Sequence, residues 1–257
     1  MIRAENLTFA YASEPVLQAV NLEFHEGDFV GLVGPNGSGK STLIKCLNGL
    51  YKPGEGTVSL DFKQLQNFDS RELAKQMAYV PQSFGRIMPV SVYDAVLLGR
   101  KPYISWRPGK NDHKIVLKVL KSLDLEDISM RNVTELSGGQ KQRVFIARAL
   151  AQNPRFIFLD EPTANLDLRH QIEVLNLLKR MAKDGIGIAI SVHDLNTASR
   201  YCTKIVMLNQ GKVFAQGGNE ILTEGNICKL YGVDMKIIKQ DNENYYIPKI
   251  KCDYDGN

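Results

Sequence analysis

The chain has 257 residues, 44% of them hydrophobic and 23% charged, with a formal net charge of +4. That length can bury a full core, as one large domain or one carrying an inserted subdomain. The composition excludes a disordered or fibrous chain, and so small a positive charge without a basic run gives no argument for nucleic acid. Apolar stretches fall short of the ~18 residues that span a bilayer, and Met1 to Asn6 lack the apolar centre of a signal peptide. Cys46, Cys202, Cys228 and Cys252 are too scattered for a zinc site or a disulfide framework. Free thiols in a cytosolic chain are the expectation.

The first predicted elements are strands over residues 2–9 and 16–24, with Val16, Val20, Leu22 and Phe24 in alternation. Residues 57–60 follow the turn Lys52-Pro53-Gly54-Glu55-Gly56 and add a third strand, so an antiparallel sheet flanks what comes next. Tyr11 falls between the first two strands, where an aromatic ring either stacks on a base or simply packs. Between those strands and residue 57 lies the stretch from Phe29 to Thr42. Its apolar run ends at Gly34, and Gly34-Pro35-Asn36-Gly37-Ser38-Gly39-Lys40-Ser41-Thr42 matches G-x-x-x-x-G-K-[ST]. A strand feeds a tight loop and then a helix opening at Ser41. Glycines there admit backbone angles and close approaches that a Cβ would block. The N–H groups of Gly37 to Thr42 can converge on a polyphosphate at the positive end of the helix. Lys40 would sit between the β- and γ-phosphates, and the Ser41 hydroxyl would ligate Mg²⁺. A Gly-rich turn with a solvated lysine is the plain alternative, but the flanking strand and helix supply the context that phosphate binding needs. The chain is expected to bind a nucleoside triphosphate.

A strand over residues 77–80 ends just before Gln82. Residues 83–109 then hold Gly85, Pro89, Gly99, Pro102, Pro108 and Gly109 among short helical pieces such as 92–98. Residues 113–123 predict an amphipathic helix with Ile115, Val116, Val119, Leu120 and Leu123 on one face. Lys40 and Asp160 are 120 positions apart, far more than the ~30 residues of one βαβ unit. A helical insertion accounts for the surplus. Phe156 to Leu159 reads as a buried parallel strand, which puts Asp160 and Glu161 at the end where open α/β sheets hold ligands. A helix is expected from Leu168 with Ile172, Leu175 and Leu178 on one side. Next come a strand over 188–192, His193, and Asp194 as the cap of a helix at Leu195. Residues 204–208 and 212–214 form a hairpin, and the residues from Gln240 on are expected to be peripheral. His25, His113 and His170 are read as surface residues.

One further stretch is unusual. In Leu136-Ser137-Gly138-Gly139-Gln140, Ser137 is placed to cap a helix while two glycines leave its first N–H groups bare. That makes a second anion site on a chain whose single triphosphate needs one cradle. With these residues the chain resembles the ATP-binding subunits of ABC transporters over about residues 1–235. The ordered set is Tyr11, Gly34 to Thr42, Gln82, Leu136 to Gln140, Asp160-Glu161, Ala164-Asn165-Leu166-Asp167 and His193.

The resemblance implies an α/β P-loop ATPase with a parallel sheet, an antiparallel β subdomain and a helical subdomain. Its expected division is a domain over 1–240, with core 1–82 and 152–240 and helices in 83–151, followed by a tail at 241–257. It implies that Asp160, Ser41 and Gln82 serve Mg²⁺, that Glu161 is the general base, and that His193 contacts the γ-phosphate. Ser137, Gly138, Gly139, Gln140 and Asp167 would reach the nucleotide of a second copy in a head-to-tail homodimer. Residues 83–109 would dock on a separate membrane permease, with Arg100 and Lys101 as contact charges, on the inner face of the cell membrane. An extracytoplasmic binding protein would complete the system. Leu97 to Tyr103, Asp167 to Gln171 and His193 to Asn196 further resemble importers of ferric siderophores, haem and cobalamin. Zinc or manganese importers carry similar stretches. A soluble ABC ATPase without a transport role is the remaining alternative.

Overall fold

The computed structural model describes residues 1–12, 14–82, 89–164, 166–241 and 243–249. In chain order, β1 (Ile2–Tyr11), β2 (Glu14–Phe24) and β3 (Phe29–Val33) precede helix α1 (Lys40–Leu47). Then come β4 (Glu55–Leu60), β5 (Lys63–Gln64), α2 (Ser70–Gln76) and β6 (Met77–Val80). A helical section holds α3 (Val92–Leu97), α4 (Lys110–Ser122) and α5 (Gly138–Ala151). It is followed by β7 (Phe156–Leu159), α6 (Leu168–Lys183), β8 (Gly187–Ser191) and α7 (Leu195–Tyr201). The chain continues through a hairpin of β9 (Lys204–Asn209) and β10 (Lys212–Gly217), helix α8 (Glu224–Tyr231), and a second hairpin of β11 (Met235–Gln240) and β12 (Glu243–Pro248).

Among the described residues the strands form three sheets. The central one runs β10-β9-β3-β8-β7-β6, parallel throughout except for β10 at its edge. The second, β2-β1-β4-β5, is antiparallel, and the third is the β11-β12 hairpin. Every residue of β3, β7 and β8 is buried. Both faces of the central sheet are covered, which is why these strands appear in the sequence as unbroken apolar runs.

Alternation within the strands still divides the core in two. Phe156 and Phe158 point, with Val30 and Leu32, toward Leu43 and Ile44 of α1 and the antiparallel sheet. Phe24 meets the Phe156 ring edge-on at 5.4 Å between centroids. Ile157 and Leu159 face the opposite way, onto Val144 and Ile146 of α5 and Val174 and Leu178 of α6.

The helical section is assembled by the predicted apolar stripe of α4, with Val116 and Leu120 fully buried. Helix α4 begins earlier than its stripe suggests because the Asp112 carboxylate accepts the Gly109 N–H at 2.9 Å, satisfying a donor of the first turn. Asp112 also fixes Arg100. That arginine, expected as a surface contact charge, is only 4% exposed. Its Nε donates to Asp112 at 3.0 Å, its Nη1 to the Ala151 carbonyl at 2.8 Å, and its guanidinium lies 3.8 Å from the centre of the Tyr103 ring. The neighbouring Lys101 is exposed.

Other expectations are corrected by packing. Tyr11 is the last residue of β1, opposite Glu14, rather than in a loop. On α6 the buried stripe is Val174, Leu175, Leu178 and Met181, and Ile172 is 42% exposed. Within the expected tail, residues 243–248 are not peripheral. Tyr246 on β12 is buried, its N–H donates to Asn196 Oδ1 at 2.8 Å, and its carbonyl accepts from Asn196 Nδ2 at 3.2 Å. Residues 250–257, with Cys252, lie outside the described residues, as do residues 83–88 and Asn165. His25 is exposed, but His113 and His170 are half-buried and partnered by Tyr93 and Asp167.

Candidate active site

The loop after β3 is shaped by what lies behind it. At Gly34 a Cβ would come within 2.2 Å of the Leu208 carbonyl oxygen, so no side chain fits. The turn of the β9-β10 hairpin clamps the loop, since the Gly211 N–H donates to the Ser38 carbonyl at 3.1 Å and the Gln18 N–H to the Gly211 carbonyl at 2.9 Å. Gly39 takes a left-handed conformation (φ 101°) as the N-cap of α1 and brings no capping side chain. The N–H groups of Lys40, Ser41 and Thr42 therefore point out of the first turn with no intrahelical acceptor. An anion is favoured there by both the N–H groups and the helix dipole. Asn36 and Gly37 form the exposed lip of the loop.

Lys40 is 6% exposed, and its Nζ donates to the carbonyls of Gly34 at 2.8 Å and Pro35 at 3.0 Å. Burial lowers its pKa, opposed by the charges of Glu161 and Asp160. That is the behaviour of an ammonium taken partly out of water with carboxylates close by.

Sheet order brings the acids to the loop. Strand β8 lies between β3 and β7, so three neighbouring strands end at one edge. Asp160, 4% exposed, accepts the Ser41 hydroxyl at 2.8 Å and the Ser191 hydroxyl at 2.7 Å on the same Oδ1. The Ser191 oxygen in turn accepts the Glu161 N–H at 2.7 Å. Glu161 stands at φ 46°, a left-handed conformation uncommon outside glycine and a mark of a position held by its surroundings. Its carboxylate is gripped from both sides: Gln82 Nε2 donates to Oε2 at 2.6 Å, and His193 Nε2 lies 2.6 Å from Oε1. A cavity of about 410 Å³ is lined by Lys40, Ser41, Gln82, Glu161 and His193 together with the loop.

Sequence reasoning missed Ser191. The available signal was a hydroxyl ending the otherwise apolar run Gly187 to Ile190 at the edge where ligands bind. Tyr51 was missed as well. Its ring stacks on Phe9 at 5.2 Å and meets Tyr11 edge-on at 5.8 Å, and the Tyr11 hydroxyl lies 3.4 Å from Thr42 Oγ1. Tyr11 is thus part of an aromatic cluster beside the loop, with 45% of its surface exposed.

The second cradle forms at the start of α5. Ser137 Oγ accepts the Gln140 N–H at 3.3 Å, and Gln140 Oε1 accepts the Ser137 N–H at 3.1 Å, a reciprocal capping box. Capping consumes the Gln140 N–H and leaves those of Gly138 and Gly139 without an intrahelical acceptor. Ser137 and Gly138 are exposed, whereas Gly139 is pressed onto His170, whose ring a Cβ would approach to 2.7 Å. Asp167 caps α6 by accepting from the His170 backbone at 2.9 Å and lies 2.7 Å from its Nδ1. The His170 backbone N–H first, and its ring second, hold the Asp167 carboxyl below its ordinary pKa. Among the described residues, neither Ser137 to Gln140 nor Asp167 lines the cavity around Lys40.

Comparison with known proteins gives these features a family. A model described as ABC transporter matches residues 17–164. An uncharacterized ABC transporter ATP-binding protein of Methanocaldococcus jannaschii is 46% identical over 92% of this chain and 93% of its own length. The ferric enterobactin transport ATP-binding protein of Escherichia coli is 37% identical over 92% of this chain and 89% of its own. Among solved structures, an inward-facing conformation of a metal-chelate type ABC transporter superposes with a TM-score of 0.85 at 32% identity, covering 97% and 98% of the two chains. A dimeric post-hydrolysis ATP-binding cassette bound to ADP and phosphate gives 0.74 at 35% identity, covering 85% and 98%. With a strand, loop and helix shaped for a triphosphate and a second glycine-rich helix start, and with these similarities over most of its length, this chain belongs to the ABC transporter family as one of its ATPases.

Proposed function

We propose that this chain hydrolyses ATP to drive an importer whose membrane-spanning subunits are separate chains, with a metal chelate such as a ferric siderophore, haem or cobalamin as cargo. The observation that carries the reading is the Glu161 carboxylate, held between Gln82 and His193 and facing the same cavity as Lys40. The triphosphate rests on the N–H groups of Gly37 to Thr42, with Tyr11 beside the base. Lys40 exchanges its two carbonyl partners for oxygens of the β- and γ-phosphates. Glu161 orients the attacking water and accepts its proton, with His193 as a donor to the γ-phosphate.

Ser41 and Asp160 fit Mg²⁺, which binds through one or two protein oxygens plus phosphate and keeps several waters. Their hydroxyl and carboxylate already meet at 2.8 Å, and among the described residues no group of three or more His, Cys, Asp or Glu side chains is arranged to hold a metal. Gln82 extends the site toward both the ion and the water. When bound, the ion neutralises charge on the phosphate oxygens.

Among the described residues, Ser137 to Gln140 and Asp167 do not line this chain's own cavity, in keeping with a role at the nucleotide of a second copy packed head to tail. A cassette to which the chain is similar is dimeric with ADP and phosphate bound, which supports a second copy. The core 1–82 and 152–240 carries the nucleotide, and the helical section within 83–151 receives the permease. Gln82 joins the two, since the segment that follows it leads into residues 89–109, where Leu98 and Trp106 are exposed. Among the described residues no helix is long and apolar enough to cross a membrane. In this reading the chain works as a peripheral subunit on the inner face, with a binding protein delivering cargo from outside.

Glu161→Gln tests the reading. ATP affinity stays at the wild-type level while turnover falls by roughly 10²- to 10⁴-fold, the usual worth of a general base. Loss of a carboxylate near the γ-phosphate removes like-charge repulsion, so an ATP-bound dimer accumulates in size-exclusion chromatography with ATP and Mg²⁺. Adding Ser137→Arg abolishes that dimer although each chain still binds ATP. If Glu161→Gln turns over at the wild-type rate, or the assembled transporter tolerates Ser137→Arg with full activity, the proposal is wrong.

A further inference from the structure

One cleft is about twice the volume of the nucleotide cavity. It measures about 800 Å³ and runs between one face of α6 and the wall formed by residues 122–124 and Arg143 of α5. Along α6, Arg169, Glu173, Asn176, Arg180 and Lys183 recur every three or four residues, which places them on a single helix face. Five cationic side chains line the cleft (those of Arg143, Arg169, Lys179, Arg180 and Lys183) against the two carboxylates of Asp124 and Glu173.

Local partners do not absorb this excess. Arg169 is paired with Glu173 at 3.0 Å, and Lys179 donates to the Arg200 carbonyl at 3.1 Å. Arg180 and Lys183 are exposed. Arg143 is half-buried in the cleft wall, and its Nε has no hydrogen-bond acceptor among the described residues. Guanidinium forks on two facing walls suit an oxyanion, which they bind through paired N–H groups.

We propose that this cleft binds a soluble, multiply charged phosphate compound at a site separate from the nucleotide, through Arg143, Arg180 and Lys183. The concave shape favours a compact solute over a flat anionic bilayer. A ligand held by both walls ties the helical section, through Arg143, to the core, through α6. The inference is independent of the importer reading, since it uses no residue of the nucleotide site.

The probe is fructose 1,6-bisphosphate, titrated calorimetrically into protein saturated with a non-hydrolysable ATP analogue and excess Mg²⁺, so that the loop around Lys40 is already filled. One bisphosphate binds per chain, and its affinity falls as salt is raised. Arg143→Gln combined with Arg180→Gln weakens it at least about tenfold, equivalent to ~1.4 kcal/mol. Lys236→Gln, which removes one exposed charge on β11, leaves it unchanged. The double variant must still bind the ATP analogue, which shows that it is folded. Vesicles of phosphatidylglycerol sediment wild type and double variant alike. The proposal is overturned if saturation with the analogue abolishes bisphosphate binding, or if the double variant binds as well as wild type. Vesicle binding that depends on Arg143 and Arg180, without bisphosphate binding, also overturns it.

Discussion

Replacing Arg100 separates a docking charge from a structural one. Its side chain is 4% exposed, that of its partner Asp112 is 13% exposed, and their ion pair closes at 3.0 Å. Two further contacts, to the Ala151 carbonyl and the Tyr103 ring, leave the guanidinium with nothing to offer a membrane partner. Removing one member of a buried pair costs about 3–5 kcal/mol because the other charge is left uncompensated. Set against a total stability of ~5–15 kcal/mol, that is about a fifth or more of what holds a typical domain together. Arg100→Met in the isolated subunit should therefore lower the thermal midpoint by roughly 6–20 °C, at ~2–4 °C per kcal/mol for a chain of this size. Arg100→Glu should lower it further, since two carboxylates then share one buried site. Adding Asp112→Asn to Arg100→Met should recover part of the loss, because the amide still accepts the Gly109 N–H without a bare charge. Lys101→Glu, on an exposed side chain, should stay within about 0.5 kcal/mol of wild type. Circular dichroism melts of the four variants decide the matter. A midpoint for Arg100→Glu within about 2 °C of wild type would show that the pair contributes nothing and return Arg100 to the list of docking candidates.

The same carboxylate makes a pH prediction. The Gly109 N–H first, and then the Arg100 guanidinium, hold the Asp112 carboxyl below its ordinary pKa. Its contribution to stability is therefore complete above the unfolded value of about 3.9 and is lost as the pH falls through the lower folded value. Asp112→Asn should flatten the acid limb of the stability curve in that interval, measured by urea unfolding between about pH 5 and 2.5. Ser191→Ala should unmoor both Asp160 and the Glu161 N–H, lowering turnover about tenfold, the worth of ~1.4 kcal/mol of positioning in the transition state. An unchanged turnover number would remove Ser191 from the site. Gly139→Ala pushes a methyl group into the His170 ring that Asp167 holds, at a cost of ~1–3 kcal/mol. Adding His170→Ala should restore the stability, and a double variant no better than the single one would show that the two do not press on each other.

What was legible in the sequence was whatever contiguous residues decide. The strand, loop and helix from Phe29 to Thr42 are announced by an apolar run, glycines and a helix start in sequence. The first helical hydrogen bond, Leu43 N–H to the Gly39 carbonyl, is local, although the Gly211 clamp on Ser38 comes from far along the chain. The capping box of Ser137 and Gln140 and the Asp194 cap of α7 are likewise three-residue affairs. The apolar face of α4 follows from helical periodicity alone. Tertiary structure decided the contacts between distant parts of the chain. Ser191 meets Asp160 because β8 pairs with β7, and strand order is a property of the packed sheet rather than of either strand. Arg100 is buried because Asp112 and the end of α5 converge on it, although a Gly-Arg-Lys-Pro stretch carries every mark of a surface. Residues 243–248 form a strand by pairing with β11, and that hairpin docks on the core because Asn196, a helix residue some fifty positions away, offers its amide to the Tyr246 backbone. Local hydrogen bonds and periodicity are written in neighbouring residues, whereas burial depends on which surfaces meet, and only the folded chain fixes that.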